Sequence, residues 1–170
     1  MRVRAVVTPV MTSQRSDDFE AFYRTEADRL YRALAVAIGN PQLAREAADE
    51  AMARTYARWS QVRDHDNPGG WAFRVGLNWA TSWWRKVRRE RPLPPTDDRH
   101  PPVEDPGHQH ALTALHRLPL PQRTVIVCRV LLDLSTVETA AVLGIAEGTV
   151  KSRMARGLAE LRRVLGQEQS

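Results

Sequence analysis

Six of the eleven prolines fall in one stretch, Arg91 to His110, R-P-L-P-P-T-D-D-R-H-P-P-V-E-D-P-G-H-Q-H. A proline inside a helix removes a backbone donor and clashes with the preceding turn, so this density excludes a helix and favours an extended, partly stiff linker. It divides the 170 residues into two halves that each have room for one small core. Apolar residues recur at three- and four-residue steps on both sides of the linker. The expected fold is therefore all-α, with two small helical domains joined by a Pro-rich connection.

In the first half, Phe19, Phe22, Tyr23, Leu30, Leu34 and Ile38 make an apolar face from Asp17 to Gly39. Asn40-Pro41 and Asn67-Pro68 then open two further helices. Asn is a good N-cap, and Pro suits the first helical position, where its missing N–H would have gone unpaired. These helices are expected over Pro41 to about Trp59 and from Pro68 towards Arg89. Residues 1–16 are expected to form a flexible tail. The run Met1 to Ser13 has two Arg ahead of a few apolar residues, but it is too short for a signal peptide and Pro9 interrupts it. Met1 and Met11 both remain open as the translation start.

After the linker, Leu112, Leu115 and Leu118 mark a short helix from Gln109, which Leu118-Pro119-Leu120-Pro121 breaks before a helix over Gln122 to Leu132. The most informative stretch follows, Ser135 to Leu165. Ser135 and Glu138 have the spacing of a capping box. Ala140, Ala141, Val142 and Leu143 give small apolar packing, and Gly144 supplies a left-handed C-cap. Glu147 places an acid at the positive end of a second helix. There Val150, Met154, Leu158, Leu161 and Leu165 form one apolar stripe, and Thr149, Lys151, Ser152, Arg153, Arg156 and Arg163 occupy the other sides. A helix fixed by its apolar face, with short polar and cationic groups near its N-terminus, suits the DNA major groove. The plain alternative is a solvated basic face on an ordinary helical hairpin.

The net charge is +5, and its distribution says more than its size. Asp17 to Trp59 carries eight acids and six Arg, whereas Thr81 to Arg91 carries five cations and one acid. Positive charge is thus gathered at the end of the third helix and on the last one, which favours a phosphate backbone as partner. All five Trp lie between Trp59 and Trp84. Core packing is the expected role of Trp59 and Trp71; for Trp79, Trp83 and Trp84, stacking on unpaired bases stays open beside it.

Two blocks resemble the sigma-70 family. L-P-L-P-Q-R-T-V-I-V-C-R, D-L-S-x-x-E-T-A-x-V-L-G and G-T-V-K-S-R-M-x-R-G-L-A-x-L-R, together spanning Leu118 to Leu165 without a gap, look like sigma domain four. N-P-x-x-W-x-F-R-V-x-x-N-W-A-x-S-W-W-R-K-V-R-R-E looks like the promoter-melting part of sigma domain two, with an S-W-W-R motif familiar from actinobacterial members. The chain most resembles the extracytoplasmic-function group, which keeps only these two domains. The resemblance implies a three-helix domain two over 17–90, a linker over 91–108 that threads through polymerase channels, and a helix-turn-helix domain four over 109–167.

By the same resemblance, the chain is expected to be an RNA polymerase sigma factor that binds core polymerase and directs promoter recognition and transcription initiation. Thr149, Lys151, Ser152, Arg153 and Arg156 would read the minus-thirty-five element. Val62, Phe73 and Asn78 would capture bases of the minus-ten element, beside Arg85, Lys86, Arg88 and Arg89 on the backbone. The housekeeping melting pair of Trp would fall at Trp71 and Ala72, so Trp83-Trp84 is not that pair. Glu46, Asp49 and Glu50 would meet the beta-prime clamp helices, although relatives that read A-E-D-L-V-Q-E have Gln where Asp49 stands. The beta flap, promoter DNA and an anti-sigma factor complete the expected partners, and the expected location is the cytoplasm. Ala146 stands where the family often has a Ser N-cap.

No cofactor, metal or covalent chemistry is expected. Cys128 is the only cysteine and lies in an apolar run, where it reads as a small buried hydrophobe. His100, His108 and His110 are not accompanied by a ligand pattern of defined geometry. No nucleophile elbow, phosphate-cradling loop or paired-carboxylate motif occurs, so an enzyme is not expected. No apolar run approaches a membrane span. The alternative function is a stand-alone helix-turn-helix regulator of duplex DNA. It would leave the Trp/Arg helix and the acidic second helix unassigned.

Overall fold

The computed structural model describes residues 9–90 and 106–167, and every element in them is helical. The order is α1 (Pro9–Ile38), α2 (Pro41–Ala57), α3 (Trp59–Val62), α4 (Pro68–Glu90), α5 (Pro106–Arg117), α6 (Leu120–Ile126) running into a π-helical turn (Val127–Leu131), α7 (Thr136–Leu143) and α8 (Glu147–Gln167).

The first half is a bundle of α1, α2 and α4 around Leu30, Leu34, Leu43, Met52 and Phe73, all buried. Alanines line the inner face of α2 (Ala44, Ala47, Ala48, Ala51), and small side chains let the helix axes approach closely. Both asparagine caps form. Asn40 Oδ1 accepts from the N–H of Leu43 at 2.9 Å, and Asn67 Oδ1 accepts from the N–H of Gly70 at 2.6 Å. At one end of the bundle, Phe19 and Phe22 pack on Trp59 with ring centroids 5.4 and 4.9 Å away, the former edge-on.

Three boundaries differ from the sequence reading. Helix α1 begins at Pro9 instead of Asp17, so residues 9–16 are helical and not a tail. Helix α5 begins at Pro106, so residues 106–110 leave the expected linker and join a helix. In both cases a proline occupies the first helical position, which the ring tolerates, and so starts a helix instead of breaking one. The helix expected over Gln122 to Leu132 starts two residues earlier and ends in a π-turn. The rest of the linker, with His100, and residues 1–8 lie outside the described residues.

The two halves share a core. Val127, Cys128, Leu132, Leu134 and Val142 from the second join the buried cluster of the first. Two arginines cross the seam in opposite directions. Arg29 of α1 donates to the carbonyl of Leu132 at 2.7 Å, and Arg123 of α6 donates to the carbonyl of Ala37 at 2.8 Å. Helix α7 lies against the start of α4, so closely that a Cβ on Gly70 would come within 2.7 Å of Val142 Cγ2.

Candidate nucleic-acid interface

The hairpin of α7 and α8 forms through local chemistry. Ser135 Oγ accepts from the N–H of Glu138 at 3.1 Å, and the Glu138 carboxylate accepts from the N–H of Ser135 at 2.7 Å, a reciprocal cap. Gly144 ends α7 at φ 65°, and the N–H of Ile145 then bonds back to the carbonyl of Ala140 at 3.1 Å. Helix α8 starts without a side-chain cap. The N–H groups of Thr149 and Val150 reach the carbonyl of Ala146 at 2.9 and 3.1 Å, and Glu147 supplies the acid of the first turn. Val150 and Val164 are buried and anchor the inner face, with Val125 and Ala140 packed against the N-terminal end.

That anchoring turns the candidate reading residues outward. Lys151, Ser152 and Arg156 are exposed, while Thr149 and Arg153 are half-buried at the edge of the face. Arg156 lies back along its own helix, with Nε to the Ser152 carbonyl at 3.2 Å and Nη2 to Ser152 Oγ at 3.2 Å. Ser152 in turn donates to the Thr149 carbonyl at 3.1 Å. The guanidinium is thus held over the N-terminal half of α8 before any ligand arrives.

On α4, Asn78, Arg85 and Lys86 are exposed on the 23-residue helix. The side chains of Arg88 and Arg89 lie outside the described residues. Val62 and Phe73 are buried at 1% and 0% exposure, so in this arrangement neither side chain offers a surface to a base. The Trp set divides in the same way. Trp59 is buried, Trp71, Trp79 and Trp84 are half-buried, and Trp83, at 38%, is the one large aromatic of α4 that stands exposed.

Sequence reasoning passed over Arg74. It is exposed one turn before Asn78 on the same side of α4, and its guanidinium sits against the turn between α7 and α8, 3.3 Å from where a Cβ on Gly144 would be. Next to it, a cleft of about 280 Å³ separates the two halves, with Asn67, Trp71 and Arg74 on one wall and Val137, Glu138 and Val142 on the other. The start of α4 and the loop before it are therefore partly covered by α7, whereas the polar face of α8 is open.

Of the acids on α2, Glu46 accepts from Gln42 Nε2 at 3.1 Å and Glu50 pairs with Arg54 at 2.6 Å, whereas Asp49 faces a groove against α1. Among the described residues no three His, Cys, Asp or Glu side chains converge as a metal site would need, and no helix is long and apolar enough to cross a membrane.

The fold and its two outward helices define a two-part, all-helical DNA-binding protein with a helix-turn-helix in its second part. Comparison with known proteins narrows the class. The sequence model of the family "Sigma-70, region 4" matches residues 108–161. The RNA polymerase sigma-E factor of Streptomyces coelicolor is 37% identical over 153 residues, covering 87% of this chain and 86% of the relative. The ECF RNA polymerase sigma factor SigM of Mycobacterium tuberculosis is 30% identical over 152 residues, covering 87% and 77%. Among solved structures, the sigma factor RpoE in complex with the anti-sigma factor NepR from Bartonella quintana superposes with a TM-score of 0.79 at 23% identity, covering 88% of this chain and 97% of that one. CnrH in complex with the cytosolic domain of CnrY gives 0.64 at 22% identity, covering 93% and 96%. The chain belongs to the ECF RNA polymerase sigma factors, which act in transcription initiation.

Proposed function

We propose that this chain is a promoter-specificity subunit that docks on RNA polymerase core through α2, reads the minus-thirty-five element as duplex through α8, and opens the minus-ten element through α4. It works by binding energy in the cytoplasm, where polymerase and promoter meet. The observation that carries this reading is that one chain holds two separate outward-facing polar helices, each fixed by a buried apolar side. On α8, Arg156 and Lys151 suit guanine edges and phosphates. On α4, Asn78 offers a donor and an acceptor to a base edge, and Arg85 and Lys86 suit the backbone. Extruding a base costs about a few kcal/mol, which such contacts must offset.

The covered start of α4 adds a step. Helix α7 has to move off Asn67, Trp71 and Arg74 before a strand can lie along α4, so docking on core is coupled to separation of the halves. Buried Val62 and Phe73 then either become accessible in that open state or act by shaping the loop and helix around Asn78. An anti-sigma factor that held the halves together would keep the protein silent.

Run-off transcription with core polymerase on a genomic promoter pool tests the reading. New starts should appear with the wild-type chain, vanish with Arg156→Ala, and lose strand opening with Asn78→Ala. If no new starts appear and core does not retain the chain, the sigma reading fails. Binding of the chain alone to duplex DNA would then favour the stand-alone regulator.

A further inference from the structure

All but two of the 25 cationic residues in the sequence are arginine, and the two exceptions are Lys86 and Lys151. Lys86 lies near the end of α4 and Lys151 near the start of α8, so each outward polar helix holds one. Arginines surround them, Arg85 beside Lys86 and Arg153 and Arg156 after Lys151. For a phosphate or a guanine edge the planar, five-donor guanidinium serves as well as an ammonium or better. Binding alone therefore gives no reason for lysine at these two positions and nowhere else.

What separates the two residue types is the proton. A guanidinium stays protonated in a protein, whereas an ammonium exchanges with an amine that carries a nucleophilic lone pair. That lone pair attacks the carbonyl carbon of an activated acyl group, carried as a thioester or an acyl phosphate. The Nζ–C bond forms, the C–S or C–O bond breaks, the thiol or phosphate leaves, and the amine's proton passes to solvent. The product is a neutral amide, and one positive charge is gone. Both lysines are placed to react. Each is exposed, and among the described residues neither makes a hydrogen bond or ion pair, although Glu147 stands one turn before Lys151. The part of α4 that α7 covers is its start, around Asn67, Trp71 and Arg74, and Lys86 is at the other end.

We propose that Lys86 and Lys151 are acylation sites, through which an activated acyl donor removes one positive charge from each DNA-contacting helix. Both amines are open while the two halves are together and would lie against DNA on a promoter, so the free chain is what is modified. Acylation blocks promoter engagement and leaves docking on core intact, because α2 contains no lysine. That consequence rests on the sigma reading; the reactivity of the two amines stands apart from it.

The test treats the full-length chain, native and urea-unfolded, with acetyl phosphate or with acetyl-coenzyme A, and follows each lysine by peptide mass spectrometry. With at least one donor, both lysines of the native chain should react within about fivefold of the unfolded rate, and the donor that acts identifies the acyl source. A native rate more than about fivefold slower with both donors, at either lysine, would overturn the proposal, since that amine would then be covered. Holoenzyme made from the acetylated chain should bind promoter at least about tenfold more weakly, with the salt slope reduced by about one per acetylated lysine. Affinity for core should stay within about twofold, and a tenfold loss there would overturn the assignment to DNA contact. The double variant Lys86→Arg with Lys151→Arg controls for the α-amino group. Its promoter affinity, compared with that of its own untreated form, should not change on treatment. An unchanged affinity of the acetylated wild-type chain, or an equal loss in the double variant, would overturn the proposal. If the untreated chain does not bind core, the sigma reading fails, and the two acetylation rates still decide whether these lysines are acyl sites.

Discussion

Arg123 donates from Nε to the carbonyl of Ala37 at 2.8 Å, so a guanidinium of the second half caps the last turn of α1 in the first. Its Nη1 reaches the carbonyl of His116 at 2.9 Å, and among the described residues no carboxylate joins them. Burial pulls the pKa of Arg123 below the ordinary arginine value, because the charged form loses hydration there. A buried cation held only by carbonyl dipoles balances a large desolvation cost against two charge-assisted bonds.

Replacing it with methionine removes both terms and keeps most of the bulk. Hydrogen bonds to charged groups contribute about 1.5–3 kcal/mol each, less the desolvation relieved. Arg123→Met is therefore expected to loosen the seam more than it unfolds either half. Small-angle scattering should show a larger radius at unchanged helical content, and the urea midpoint should fall. An unchanged radius and midpoint together would show that Arg123 does not hold the halves.

Gly144 carries a second prediction. At φ 65° an L side chain is strained, and a Cβ would also press on Arg74. Gly144→Ala should destabilise the protein by about 1–2 kcal/mol, and Gly144→Asn by less, since Asn tolerates the left-handed region. Denaturant unfolding followed by circular dichroism checks the order. Equal midpoints for the two variants would mean that contact with Arg74, not backbone strain, sets the cost.

What was legible in the sequence was local. The reciprocal cap of Ser135 and Glu138, the stop at Gly144 and the starts at Asn40 and Asn67 are each decided within a few residues, and the structure has them all. Prolines were harder to read, because Pro9 and Pro106 open helices in which proline elsewhere would be a breaker. The seam left no sequence signal. Arg29 and Leu132 are 103 positions apart, and an arginine that bonds a distant carbonyl has no periodicity to betray it. The burial of Phe73 is legible from register, since it shares the inward side of α4 with Gly76 and Ala80, although the family resemblance assigns bases to that position.

The capping box sets a pH dependence. Hydrogen bonds from the Ser135 hydroxyl and N–H, assisted by Arg129 and Asn67 and opposed by some desolvation, hold the Glu138 carboxyl below its usual pKa of 4.5. A carboxylate with a depressed folded-state pKa adds stability at pH above its unfolded value, and that increment disappears as pH falls through the folded value. Glu138→Gln should therefore be less stable than wild type at pH 7, with the gap closing below about pH 4.5. Urea midpoints of the two proteins between pH 7 and pH 3 measure the gap. A gap independent of pH would mean that the carboxylate charge is not what caps α7.

Cys128 reports on the same seam from inside. It is fully buried in the core shared by α1 and the π-turn, and burial pushes its thiol pKa up to about 12. Near pH 8 the group is therefore neutral as well as covered, and a thiol reagent can reach it only through an opening of the structure. Labelling of the native chain should be slower than that of the urea-unfolded chain by about a thousandfold or more. If Cys128 is uncovered when the halves part, Arg123→Met should accelerate labelling by the factor its lost bonds imply, about tenfold per 1.4 kcal/mol, without changing the unfolded rate. Equal native rates in both proteins would mean that the opening that exposes Cys128 does not involve the bonds Arg123 makes across the seam.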